Sequence, residues 1–398
     1  MLIQHIQGLS QEMRKCARFI AAHPELAYEE YQSMAILTQL LKKHRFKIRH
    51  NAGQIKTAFV ATQEFSFSKT IFPSDIHIGF MAEYDALPGI GHACGHNLVG
   101  VASAGAAIAL AEALKRMHTP IKTKSSSIKI SVIGCPAEEG GGGKILLTKR
   151  GVFRDLSVAM MIHPDDRTEM VKRMLSLIEC DIEFSGRASH AAAAPHLGIN
   201  ALDAAVETYA KILVFRKTLS KDARVHGIFS SAGQKPNIIP DHAGLKYYVR
   251  SLDMKKTYGI IKKIEIITRQ YARKYGAKVT ITKNPLAYEP FQANRYLNGI
   301  FRQQLRKMGA SEVKGVTQGM GSSDVGNVSQ VVPTIHPLIK ICTGFSCHTP
   351  AFAKAAASDK GIQGMVFGAN VLALTGLALL KNPKHIIKIK KEFKRFKR

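Results

Sequence analysis

The chain has 398 residues, 45% of them apolar, and 57 Lys and Arg against 29 Asp and Glu give a net charge of +28. That length exceeds one hydrophobic core and predicts two domains, while no run approaches the ~20 uninterrupted apolar residues that span a bilayer. The N-terminal MLIQHIQGLSQEMRKC has no basic stretch leading into an apolar one, which argues against a secretory signal, and six scattered cysteines are no disulfide framework, so a reducing cytoplasm is the expected compartment.

In chain order, a helix is expected from about Ser10 to Ala22, stopped by Pro24. YEEYQSMAILTQLLKKH continues as an amphipathic helix, with apolar residues recurring at three and four. FKIRH, TAFVAT and IHIGFMAE read as short strands, AGAAIALAEALKRM as a strong helix, and SIKISVIGC and VAMMIHP as further strands. Strands alternating with helices predict an α/β layer with a largely parallel sheet, whose ligands sit beyond the carboxyl ends of the strands.

The rhythm changes near Met174. LSLIECDIEFSG is a strand, and GINALDAAVETYAKILVFRKTL a helix with Asn200 as its cap. RVHGIFSSAG and AGLKYYVRSL are strands, KKTYGIIKKIEIITRQYARKYG a helix and AKVTITK a strand. This β-α-β-β-α-β order is that of a ferredoxin-like module, complete in itself, so 174–284 reads as a domain inserted between 1–173 and 285–385. After Asn284 come a helix (ANRYLNGIFRQQLRKMG), a strand (TIHPLIKICT) and a long apolar helical region from Pro350. The basic tail, 386–398, places Ile386, Ile389, Phe393 and Phe396 on one helical face. Its plainest reading is the frayed, solubilising end of the last helix; contact with an anionic membrane or with a partner is the alternative. The excess positive charge attracts anions, yet no nucleic-acid-binding motif accompanies it, and a Lys-rich surface accounts for it.

Four polar clusters sit at strand-to-loop junctions: Cys94-Gly95-His96, Glu138-Glu139 in CPAEEGGGGK, His163 in MMIHPDD, and His348 in GFSCHTP. Singly, each reads as a structural residue or a solvated loop. Together they offer thiolate, imidazole and carboxylate donors, enough for two divalent cations. Of two adjacent carboxylates, one can bind metal while the other takes a proton from water. The glycines at 140–143 let the backbone turn tightly there, Lys144 reads as a solvated helix residue, Glu83 as a structural carboxylate, and Cys135, Cys342 and Cys347 as small buried thiols.

These segments, with FSGRASHAAAAPHLGINALDA and PNIIPD, resemble the M20 family of metal-dependent peptidases and amidohydrolases. The likeness is greatest to the branch that includes peptidase M20 domain-containing protein 2, aminobenzoyl-glutamate hydrolases and N-acyl amino acid amidohydrolases. It covers nearly the whole chain except the tail. It implies a mixed-sheet dinuclear metallohydrolase domain carrying an inserted lid, and a homodimer formed through that lid. It also implies that Cys94 bridges two metals, zinc first and manganese as the alternative, with His96, Glu139, His163 and His348 completing both sites. Glu138 is then the general base and acid, and Asp85 orients a metal-bound histidine. His190 holds the oxyanion in the partner's site, while Asn237 and Arg250 bind polar groups of the substrate. The implied reaction is amide hydrolysis of short dipeptides or N-acyl amino acids. A deacylase of another small amide and a non-catalytic binding protein on the same fold are the competing readings.

Overall fold

The computed structural model describes residues 2–69, 71–72, 74–117, 125–313 and 321–396. The chain divides into two compact units: Met1–Lys172 with Gln292–Gly319 and Asn327–Arg398, and Arg173–Phe291 with Met320–Gly326. The inserted unit thus reaches further than the 174–284 read from periodicity, and it recruits a short segment from beyond residue 313.

The first unit is built on a six-stranded sheet, in the order Lys47–His50, Phe59–Ser68, Ser125–Gly134, Ile76–Ala82, Val158–Met160, Thr334–Ile335. It is mixed. Ile76–Ala82 runs parallel to both neighbours, and Thr334–Ile335 parallel to Val158–Met160. Phe59–Ser68 is antiparallel on both sides. The link from His50 to Phe59 is too short for a crossover, so those two strands pair as a hairpin on an otherwise largely parallel sheet, giving the mixed sheet that the resemblance implied. TIHPLIKICT, read as one strand, is two: Pro337 separates Thr334–Ile335 from Leu338–Lys340, which pairs with His163–Asp165.

Helices Leu2–Ala22, His96–Met117 and Asp359–Lys381 pack on one another. The last two are long and apolar enough to cross a membrane by length and composition, but 89% and 61% of their apolar windows are buried inside the fold, so their apolarity belongs to the core. The tail is no frayed end. It is a helix of its own, Lys384–Phe396, with Ile386 and Ile389 buried in the core. Its Glu392 accepts the backbone N–H groups of Arg295 and Tyr296 at the start of helix Arg295–Lys307, a carboxylate where the helix dipole favours one. The tail's last two residues lie outside the described residues.

In the second unit, Ile178–Ser185, Arg224–Ser231, His242–Arg250 and Lys278–Lys283 form one antiparallel sheet. The order is Lys278–Lys283, Ile178–Ser185, His242–Arg250, Arg224–Ser231. Helices Ala201–Arg216 and Met254–Lys274 pack against it around a separate core. Asn200 caps the first helix through its side chain and Asp253 the second.

Candidate metal centre

The apolar strand Ile76–Ala82 ends at a polar turn, and Glu83 and Asp85 follow it, both buried. The chain returns through Cys94-Gly95-His96, where His96 opens the helix His96–Met117. Gly95 has φ 80°, and a Cβ there would come within 2.9 Å of the Pro164 ring. Only glycine lets the Cys94 loop lie this close to His163 and its neighbours. Cys94 Sγ sits 3.4 Å from His163 Nε2, and His163 Nδ1 contacts the Pro164 carbonyl at 2.8 Å. That second contact turns Nε2 toward the sulfur.

Glu138 and Glu139 follow the strand Ser125–Gly134. The loop is tight: Ala137, Gly140 and Gly142 all have positive φ, and a Cβ on Gly143 would lie 1.9 Å from the Pro136 carbonyl oxygen. Asp85 ties this loop to the first one. One carboxylate oxygen accepts the Glu139 N–H at 2.8 Å, and the other meets His96 Nδ1 at 2.9 Å. His348 completes the group, with its Nε2 3.4 Å from Glu139 Oε1 and a side chain 56% exposed.

Candidate ligand atoms gather in overlapping sets, each within 4.8 Å: Cys94, His96 and His163; Cys94, Glu139 and His348; and His96, Glu138 and Glu139. The sulfur of Cys94 belongs to two of them. His96 Nε2 and Glu83 Oε2 are buried with nothing closer than a long 3.4 Å contact to each other, and Glu139 Oε1 is buried with nothing closer than its 3.4 Å contact to His348. Buried polar atoms are seldom left so. A thiol, three imidazoles and a carboxylate with open lone pairs fit divalent cations such as zinc or manganese.

The electrostatics follow from burial and neighbours. Burial pushes the Glu139 carboxyl up, but the His348 hydrogen bond and the His96 charge outweigh it and hold it at about 2. His96 loses proton affinity by burial, yet the charge and hydrogen bond of Asp85 raise it well above the ordinary range. The Cys94 thiol is pushed up, first by its hydrogen bond with Cys347 and then by burial, so a cation there must displace its proton. The Cys347 thiol, stabilised as an anion by that same bond, falls to about 7.

Two residues stand in surroundings other than those expected. Lys144 is not solvated: its ammonium is fully buried, 2.6 Å from Glu83 Oε1. Burial pushes the Glu83 carboxyl up, but the Lys144 charge overrides it and holds the group at about 2. Glu83 Oε2 in turn lies 3.4 Å from His96 Nε2, so the structural carboxylate borders the donor set. Cys347 is half-buried against Cys94 rather than an incidental core thiol. His336 was not anticipated; its ring stacks on His163 at 5.3 Å. Only neighbourhood in space marks it out.

The remaining expected residues lie in the second unit. Segments around His190 and Asn237 form a backbone bridge, with Ala191 N–H donating to Asn237 O at 3.0 Å. His190 is exposed, and its Nδ1 accepts the Ala193 N–H at 3.1 Å. Arg250 ends its strand with one Nη donating to Ser322 at 3.1 Å and its guanidinium 5.6 Å from the Tyr248 ring. Its Nε is buried without a hydrogen bond.

Residues 175–276 match the peptidase dimerisation domain family. The human Xaa-Arg dipeptidase is 36% identical over 398 aligned residues, spanning 98% of this chain and 90% of that protein. One subunit of the Escherichia coli p-aminobenzoyl-glutamate hydrolase is 31% identical, over 77% of this chain and 64% of that one. Among solved structures, a Bacillus subtilis dinuclear metal binding peptidase of the M20 family has the same fold, with a TM-score of 0.70 at 18% identity, covering 94% of this chain and 99% of that one. The chain belongs to the M20 family of metal-dependent peptidases and amidohydrolases.

Proposed function

We propose that the chain is a dinuclear metallo-dipeptidase that hydrolyses the amide bond of short dipeptides, with N-acyl amino acids as the second substrate class. One observation carries the reading: a single buried sulfur, Cys94, is common to two ligand sets, and a second carboxylate, Glu138, stands beside them. Cys94, His96, Glu139, His163 and His348 would hold two cations, and a thiolate among imidazoles favours zinc over manganese. When bound, the cations supply a water acidified toward pH ~7 and a positive field for the carbonyl oxygen.

The chain's own residues do the rest. Glu138 takes the proton of the attacking water and hands it to the leaving amine nitrogen. Asp85 holds His96 by Nδ1, which leaves Nε2 to ligate. Arg250, with a buried Nε that makes no hydrogen bond, pairs with the free carboxylate of the substrate. In a homodimer joined through the peptidase dimerisation domain, His190 of a second copy donates to the oxyanion and Asn237 binds a polar group of the substrate. The likeness to the Xaa-Arg dipeptidase along nearly the whole chain supports dipeptides ending in a cationic residue as the first class to try.

The test is metal content per chain together with hydrolysis of a panel after zinc or manganese loading. The panel holds Xaa-Arg and Xaa-Lys dipeptides, p-aminobenzoyl-glutamate and N-acetyl amino acids. Two metals per chain are expected, with turnover that falls about 10²- to 10⁴-fold in Glu138→Ala while the metal stays. A chain that takes up no metal, or a Glu138→Ala variant within threefold of wild type, would sink the reading.

A further inference from the structure

We propose that Glu30 is a positioning residue that sets the backbone of the loop bearing Glu138 and Glu139. The proposal rests on Glu138 being the general base. Glu30 is completely buried at the start of helix Tyr31–Lys43, yet its side chain makes no capping bond to that helix. It turns inward instead, and one oxygen, Oε1, accepts two backbone N–H groups: that of Tyr28 at 2.9 Å and that of Ala137 at 2.8 Å.

Both donors have an unusual backbone. Tyr28 has φ 67° and Ala137 φ 58°, the left-handed region that a residue with a Cβ keeps only where its surroundings impose it. One carboxylate holds both in that state. Tyr28 adds a second tie, since its hydroxyl donates to the Gly141 carbonyl. Residues 137 and 141 are therefore fixed on either side of Glu138-Glu139, from a segment more than a hundred positions away in sequence. Ala137 immediately precedes Glu138, so a change of its φ re-aims the carboxylate that must meet the water. A displacement of about 1 Å at a reacting group is enough to lower a rate by ~10²-fold.

The variant to make is Glu30→Met, which keeps the volume and removes the acceptor. With the metal-loaded full chain, kcat is expected to fall roughly 10- to 100-fold, with KM within threefold and metal content unchanged. Ala137→Gly added to Glu30→Met should return at least half of the lost rate on a logarithmic scale, because glycine takes φ near +58° without being held. Glu30→Gln keeps an acceptor and should stay within about fivefold of wild type. In a Glu138→Ala background, Glu30→Met should cost nothing further. A residue that merely fills the core would show none of the glycine rescue.

Amide hydrogen exchange of the 136–141 loop provides a readout independent of turnover, and it should rise in Glu30→Met. If Glu138→Ala keeps its activity, the base assignment falls, and this exchange still decides the role of Glu30. Tyr28→Phe deletes only the tie to Gly141; it should show the same pattern at smaller amplitude and carries the test if Glu30→Met does not fold. An unchanged kcat, a loss of metal in step with the loss of rate, no rescue by glycine, or unchanged exchange would each overturn the proposal.

Discussion

Removing the ammonium of Lys144 should be among the most costly single changes in the first unit. Its Nζ lies 2.6 Å from Glu83 Oε1, and the two side chains are 0% and 1% exposed. At an effective dielectric of about 20 the attraction at that distance is roughly 6 kcal/mol, most of which offsets the desolvation of both ions. Lys144→Met takes away the main counter-charge of buried Glu83 and leaves only the more distant imidazoles facing it, and breaking such a pair costs about 3–5 kcal/mol. For a unit of this size each kcal/mol moves the melting temperature by about 2 °C or more, so a fall of roughly 10 °C is expected by calorimetry in metal-loaded buffer. The sign with pH is fixed as well. The Glu83 carboxyl in wild type is held at about 2, so its contribution is present above about 4.5 and is not lost until pH falls toward 2. Without Lys144 the carboxyl rises and takes a proton more readily, so the gap between variant and wild type narrows as pH is lowered from 8 to 5. Glu83→Gln/Lys144→Met removes both charges and should recover half the loss or more. A single variant melting within 2 °C of wild type, or a double variant less stable than the single, would refute the argument.

Arg250→Ala should raise KM about tenfold or more for a dipeptide with a free carboxylate and leave kcat within threefold, because a charge-assisted bond contributes ~1.5–3 kcal/mol; the same dipeptide with an amidated C-terminus should show no such penalty. Burial pushes the Glu30 carboxyl up from 4.5 to about 7, so the neutral form is favoured and the stability this brings is full below 4.5 and lost as pH rises through 7. Glu30→Gln, neutral throughout, should therefore gain on wild type in melting temperature between pH 5 and pH 8, and a difference that is flat or falls would contradict this. After chelation, an alkylating reagent at neutral pH should mark Cys347, held down to about 7, well before Cys16 and Cys180, which burial pushes up to about 11 and about 12. Peptide mass spectrometry giving the reverse order would count against that ranking.

Much of this molecule could be read from periodicity, because its elements are long and its apolar spacing regular. The helix Met254–Lys274 and the strand Ile76–Ala82 declare themselves locally. The short strands did not, since two or three residues carry no period, and Pro337 hid a break inside TIHPLIKICT. The ligand candidates were legible because metal chemistry needs rare residue types at strand ends. Their supports were not. Lys144 reads as an ordinary helix residue until Glu83, 61 positions earlier, is placed against it. Cys347 gains its character first from Cys94, and the tie from Glu30 to the site is visible only once Ala137 is placed against it. In the tail, the spacing of Ile386 and Ile389 was visible, but the surface that buries them was not. Local pattern reports what a segment can hide; it does not report which distant segment it meets.

Three backbone N–H groups at the centre end on acceptors from elsewhere in the chain: Ala137 on Glu30, Glu139 on Asp85, and His348 on the Ala93 carbonyl. The loops that carry the candidate ligands are thus bound to one another by the polypeptide itself, and their conformational entropy is surrendered when the chain folds. A cation arriving there has little ordering left to impose. Its affinity then reflects the exchange of bound water for sulfur, nitrogen and oxygen, and its heat of binding should carry only a small heat-capacity change. Discrimination between metals falls to donor softness, since a rigid frame offers each ion the same geometry.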